Sequence, residues 1–137
     1  MHVEFMWPND LILGIPQVDS EHIAIIAQIE VLRTLVGGER AFSDFHDIAL
    51  DIKKLSANHF NHEEALMMMF NCADSGDHKK EHKKFIDQIT RLIKLYEAGP
   101  IDTITKFYET CGNWYIKHIR TFDSTMASHI ASSTKGC

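Results

Sequence analysis

Cysteine is scarce in this chain of 137 residues. It occurs three times, at Cys72, Cys111 and Cys137. The set is odd and lacks the close pairing used by thiolate metal sites and disulfide frameworks, which sets both aside. Cys111 lies seven residues before His118, hence on the same helical face, and is expected to be an inert core thiol. Proline is equally rare, at Pro8, Pro16 and Pro100, so the long stretches between are free to be helical. Positive charge is in deficit. The net charge of −5 argues against nucleic acid as a main partner. No run approaches the ~20 apolar residues needed to cross a bilayer. Met1-His2-Val3-Glu4 lacks a basic start, and Leu11-Ile12-Leu13-Gly14-Ile15 is too short for a signal core. Cytoplasmic residence with no membrane partner is the expectation. No internal repeat or low-complexity tract is visible.

What is present is helical periodicity. Hydrophobic content of 45% in a chain of this length suits a single domain. Residues 1–18, with Pro8, Gly14 and Pro16, read as a non-helical arm that Phe5 and Trp7 could pin to the rest. Asp19 or Ser20 can cap a first helix. From there His22, Ile25, Ile26, Ile29, Leu32 and Val36 recur at helical spacing, until Gly37-Gly38. Ser43 or Asp44 can cap a second helix whose stripe runs Ile48, Ile52, Leu55, His59, Glu63, Leu66, Met67 and Phe70. In Met67-Met68-Met69 the first is read as core and the others as flanking. Residues 71–77 are turn chemistry, and Asp77 can cap a third helix bearing His78, His82, Phe85, Ile89 and Tyr96. Gly99-Pro100 precedes a fourth, with Ile104, Phe107, Cys111, Trp114, Tyr115 and His118 on one side. The predicted fold is all-α: an up-down-up-down four-helix bundle with helices about 19–37, 43–71, 77–98 and 101–130.

Two histidine motifs stand out on that frame. His59-Phe60-Asn61-His62-Glu63 is followed 14 residues later by His78-Lys79-Lys80-Glu81-His82, and His118 precedes Asp123 by five. Residues four apart on a helix share a face. His59 with Glu63, and His78 with His82, therefore form two inward claws, the device by which bundles build two-metal sites. With His22 and His118 the chain offers five inward imidazoles and two carboxylates. Two six-coordinate metals need roughly twelve ligand positions. If Glu63 and Asp123 each bridge both metals and an oxo or hydroxo bridge is shared, one position stays open. Such a centre suits binding of a small diatomic ligand better than metal storage. Asp123 is the least regular member. A spacing of five turns its side chain about 140° from His118 on an ideal α-helix. A distortion near Arg120-Thr121-Phe122, such as one π-type turn, is predicted.

These residues carry a resemblance over nearly the whole chain. Phe5-Met6-Trp7, Gly14-Ile15-Pro16-Gln17-Val18-Asp19-Ser20-Glu21-His22, His59 to Glu64, His78 to His82, Trp114 to Ile119 and Asp123 together resemble a bacterial hemerythrin. The resemblance implies a non-haem diiron centre with an oxo or hydroxo bridge and dioxygen as its ligand. It implies that His78, His82 and His118 hold the fully coordinated iron, that His22 and His59 hold the iron with the vacancy, and that Glu63 and Asp123 bridge. Phe60, Trp114, Tyr115, Ile23 and Ile26 are expected to line the ligand pocket and exclude water. Two departures are visible. The Gly-Tyr-Pro element common before His78 is missing, and Tyr115 stands where the family usually has an apolar residue. Its phenol could bond a ligand, admit water or supply an electron; otherwise the ring packs and the hydroxyl reaches a backbone carbonyl.

The remaining polar residues have plainer readings. His62 lies about 60° from the His59 direction and is expected on the helix surface or behind a ligand. His2, His46 and His129 are expected to be solvated. Glu64 is expected exposed or salt-bridged, and Glu21 and Glu81 on the surface. Lys79, Lys80, Lys83 and Lys84 read as a solvated outer face. The leading function is reversible dioxygen binding for storage, delivery or scavenging, by a monomer or weak oligomer and not an enzyme. The alternatives are an oxygen or redox sensor acting through a separate protein partner, and a diiron redox enzyme with peroxidase-like, oxidase-like or nitric-oxide chemistry. Iron donation is disfavoured by the five-histidine set.

Overall fold

A computed structural model describes residues 11–36, 42–97 and 103–135. Helix α1 spans Pro16–Arg33, α2 Phe42–Met69, α3 Ser75–Glu97 and α4 Thr103–His118; a π-helical turn, Ile119–Asp123, joins α4 to α5, Ser124–Lys135. Each of α1 to α4 packs on the next, and α4 returns to α1, closing a four-helix bundle. No strand occurs among the described residues, and none of their helices is long and apolar enough to cross a membrane.

The helix starts differ from the sequence reading. α1 begins at Pro16, whose missing N–H falls where the first turn has no acceptor to offer. Asp19 is inside the helix, and its carboxylate accepts from the Leu13 and Gly14 amides at 2.9 and 3.0 Å. It ties down the preceding loop, where Gly14 sits at φ 88°. The first helix thus begins earlier than expected; Phe5 and Trp7 lie outside the described residues. α3 begins at Ser75, with the Asp74 carbonyl accepting from the His78 amide at 3.0 Å, so Asp77 is a first-turn residue and not the cap. The expected breaks at Gly37-Gly38 and Gly99-Pro100 lie outside the described residues. At its end α2 closes with Asn71 at φ 52° and the Cys72 amide bonded to the Met67 carbonyl at 3.0 Å. This is a Schellman turn with Asn in the left-handed position.

Two apolar layers result. The larger gathers Ile25, Ile29, Leu32, Phe45, Ile52, Phe60, Phe85, Ile89, Phe107, Cys111 and Tyr115. The smaller gathers Val18, Met67, Cys72 and Met126. Each helix passes through a polar stretch between them: His22 on α1, His59 and Glu63 on α2, His78 and His82 on α3, His118 and Asp123 around the π turn. The buried polar layer is therefore sealed at both ends by side chains that carry the folding energy. Met67 is core, whereas Met68 and Met69 are exposed.

Candidate metal centre

The fourth helix carries the least regular donor. Ser124 donates its amide to the Ile119 carbonyl, five residues back, and its hydroxyl reaches the same oxygen at 3.0 Å. A π turn absorbs one residue, so a spacing of five acts as four, leaving Asp123 roughly 40° from His118 instead of 140°. The expected distortion is present at residues 119–123. Thr121 and Thr125 bond back to Lys117 and Thr121 carbonyls, at 2.7 and 2.9 Å, satisfying acceptors the loosened turn leaves.

The structure brings together all seven residues singled out in the sequence. Each is buried. They form two groups that could hold a metal ion: Glu63, His78, His82, His118 and Asp123, and His22, His59, Glu63 and Asp123. Both carboxylates belong to both groups, and each divides its oxygens between them. Asp123 Oδ1 lies 2.9 Å from His78 Nε2 and 3.1 Å from His118 Nε2, while its Oδ2 lies 3.1 Å from His22 Nε2. Glu63 Oε1 lies 3.1 Å from His82 Nε2, while its Oε2 lies 3.1 Å from His59 Nε2.

The donor set fits metal better than it fits itself. His78 and His82 Nε2 each lie 3.1 Å from His118 Nε2. Imidazole nitrogens converging with two carboxylates cannot all be satisfied by one another's protons. His22 Nε2, His59 Nε2, both Glu63 oxygens and Asp123 Oδ2 are buried without a hydrogen-bond partner, a cost that a bound cation would remove. Spacing points the same way. With bonds of ~2.1 Å, adjacent ligands of an octahedron stand about 3.0 Å apart and those of a tetrahedron about 3.4 Å. Most of the contacts above sit near the octahedral edge.

A second layer orients the rings. His59 Nδ1 donates to Glu21 at 2.8 Å, and His82 Nδ1 donates to Glu64 at 2.9 Å. Each bond places the proton on Nδ1 and turns the Nε2 lone pair inward. The other Glu21 oxygen bonds the exposed His62. Glu64 thus has the salt-bridged role expected of it; Glu21 does not have the plain surface role assigned to it. Its function was hidden because the partner lies on another helix.

The buried imidazoles and carboxylates shift one another's protonation. Burial works against charge on His22 and His78, but Asp123 and Glu63 outweigh it and push both up to about 9. His59 is raised against its burial by Glu63 and Glu21, whereas burial keeps His118 below the ordinary value. Burial opposes ionisation of Glu63 and Asp123, yet the surrounding imidazoles hold both carboxyls well below their usual range.

The expected pocket residues need correction. Ile23 is 59% exposed and cannot wall a buried ligand; one residue from His22, it is turned ~100° outward. Phe60 stacks on His82 at 3.9 Å, and Trp114 on His118 at 4.2 Å. Trp114 thus lies against the three-histidine group, whereas Phe60 borders both, its ring 5.9 Å from that of His59. Ile26 is half-buried. Tyr115 is fully buried, and its hydroxyl pairs with Ser56 Oγ instead of a backbone carbonyl. Ser56 is buried three residues before His59 on α2. A serine in an apolar stripe was the available signal for it. The solvated reading fails for His129, which is half-buried and bonds the Phe70 carbonyl at 2.7 Å, whereas His46 stays at the surface, paired with exposed Glu97 at 3.0 Å. His2 lies outside the described residues.

Fold and site define an all-α bundle with a buried histidine–carboxylate cluster able to hold metal. Comparison with known proteins makes the class specific. The hemerythrin HHE cation binding domain matches residues 13–130, and the chain belongs to the hemerythrin family. It is similar to a bacteriohemerythrin of Pseudomonas paraeruginosa, 27% identical over 119 residues, covering 87% of this chain and 76% of the relative. A myohemerythrin of Riftia pachyptila is 24% identical, covering 87% and 88%. A bacteriohemerythrin of Clostridium acetobutylicum is 24% identical, covering 84% and 92%.

Proposed function

We propose that the chain binds dioxygen reversibly at a non-haem diiron centre. One observation carries this reading: the two donor groups share Glu63 and Asp123 but differ by one histidine. His78, His82 and His118 with the two carboxylates offer five donors to one iron; His22 and His59 with the same carboxylates offer four to the other. A shared solvent-derived oxygen completes the first and leaves the second one short of six. Two ferrous ions held there would supply the two electrons that dioxygen takes up on binding and would recover them on release.

The rest of the work falls to the protein. Glu21 and Glu64 hold His59 and His82 as Nδ1–H tautomers, so the rings reach inward without rearrangement. Glu63 and Asp123, each shared by the two donor groups, would offset part of the ions' charge in a dry interior. Ile25 and Phe60 and the apolar layers around them keep water and proton donors away. The Tyr115 hydroxyl is engaged by Ser56, so it lends no support to the redox-enzyme alternative.

The test is direct. Iron-loaded protein should carry about two irons per chain. After anaerobic reduction it should take up one dioxygen, and release it under vacuum with the ferrous state recovered. Stoichiometric loss of dioxygen without recovery would turn the reading toward an oxidase or redox sensor.

A further inference from the structure

A hollow of about 440 Å³ opens on the outside of the bundle between α2 and α3. Its lining is divided. Ala57, Phe60 and Ile86 form an apolar floor, continued by the edge of the His82 ring. Lys79, Lys80 and Lys83 stand around it, with Asn61 and Glu64 completing the lining. The lysine run that reads in sequence as a solvated face therefore rims a concavity. Phe60 is 2% exposed and stacks on His82 with interplanar angle 5°, so the two rings brace each other beneath the groove.

We infer that this groove binds a small planar aromatic anion, its ring against the α2–α3 floor and its phosphate or carboxylate at Lys79 and Lys83. The volume falls in the range of small-ligand sites, ~300–1,000 Å³, and so does the lining of apolar side chains with a few polar ones. Charge complementarity selects the sign. Lys79 and Lys83 are one turn apart on α3 and share a side, while Lys80 flanks them. Lys83 is paired with exposed Asp87 at 2.8 Å, a contact an incoming anion can exchange for at little cost. Glu64 is the one acidic lining group, and its carboxylate accepts from His82 Nδ1. Three lysines therefore line the groove beside one already engaged carboxylate. Lysine stems add apolar wall while their heads reach the anion. An occupant would border His82, itself a proposed iron ligand, and Glu64, which holds its Nδ1.

The iron-loaded full chain can be titrated calorimetrically with flavin mononucleotide as the probe, beside riboflavin, which lacks the phosphate, and inorganic phosphate, which lacks the ring. Saturable one-to-one binding of flavin mononucleotide is expected, with riboflavin about tenfold weaker and phosphate unable to compete at equal concentration. Charge reversal by Lys79→Glu with Lys83→Glu should weaken flavin mononucleotide about tenfold, as two inverted charges near an anion at a screened surface require, and leave riboflavin unchanged. Lys106→Glu, on α4, should alter neither. Ala57→Trp fills the groove from the α2 side and should abolish both. Iron content and helical circular dichroism check that each variant is folded. An unchanged affinity in the charge-reversed or groove-filled variant overturns the proposal. So does equal weakening by Lys106→Glu, which would mean diffuse charge, or equal competition by phosphate, which would mean an anion site without a ring site. Dioxygen uptake is not read in any arm, so the result is independent of the oxygen-binding proposal.

Discussion

At the scale of single residues, the hydroxyl pair of Ser56 and Tyr115 is the sharpest local commitment in the core. Both groups are buried, and the phenol is held protonated by burial, far above its ordinary pKa. Removing either hydroxyl strands the other, at about 1–3 kcal/mol, whereas removing both leaves no orphan. Tyr115→Phe and Ser56→Ala should each lower stability in urea titrations, and the double variant should cost clearly less than the sum. Strict additivity would show that the two do not depend on each other. The carboxylates behind the histidines make a second, separable prediction. Glu21→Ala frees the His59 ring to rotate and should weaken iron affinity about 10–100-fold. His62→Ala takes away only the exposed partner of Glu21 and should leave iron content unchanged. A dependence of iron on His62 measured by metal analysis would place its ring in the centre and overturn this division. Sequence spacing revealed the claws His59–Glu63 and His78–His82 because each lies on one helix, whereas it did not by itself place His22 or Asp123. Glu21 and Ser56 escaped it because their partners lie across helix interfaces, where the register is set by packing and not by local periodicity.

Among the helices, the π turn is where function overrides regular structure. It was legible in the sequence as a contradiction: a spacing of five puts His118 and Asp123 on different faces of a regular helix, yet both had to reach one interior. Helix starts were less legible. Pro16 begins α1 ahead of the expected caps Asp19 and Ser20 because Asp19 is used by the loop before it, and Ser75 begins α3 two residues ahead of Asp77. The π turn exchanges a tight i to i−4 ladder for one longer by a residue, with poorer packing of the backbone around its axis. In the metal-free chain the amides of residues 120–124 should therefore exchange with deuterium faster than those of 104–118, and should slow on iron loading. Equal protection before and after loading would mean the turn is held by its hydroxyl bonds alone. Asp123→Ala should abolish most iron binding while retaining helical signal and cooperative unfolding, since the apolar layers on either side of the centre carry the fold.

For the whole molecule, the buried polar layer makes stability depend on what neutralises it. In the metal-free chain His22 and His78 have folded-state pKa values of about 9, above their unfolded value of 6.5. A raised group contributes stability that is complete below the unfolded value and is lost as pH rises through the folded one. Alkali should therefore destabilise the metal-free chain between about pH 6.5 and 9. Glu63 and Asp123 are depressed, so their contribution is present above the ordinary carboxyl range and fades only in acid. His118, lowered by burial, opposes His22 and His78 below pH 6.5. Its effect is spent above that pH, which leaves the alkaline limb to the two raised imidazoles and to His59. Metal inverts this limb. A cation occupies the same lone pairs as the protons, so the iron-loaded form needs deprotonated histidines and is favoured as pH rises, while acid expels the metal. Thermal melts at pH 6.5 and pH 9 should move in opposite directions for the two forms: midpoint falling with pH for chelator-treated protein, level or rising for iron-loaded protein. If both forms fell together, the histidines would be stabilised by something other than the two carboxylates between them. A metal-free chain indifferent to pH over this range would mean that the cluster is already neutral when empty, and that iron enters without displacing protons.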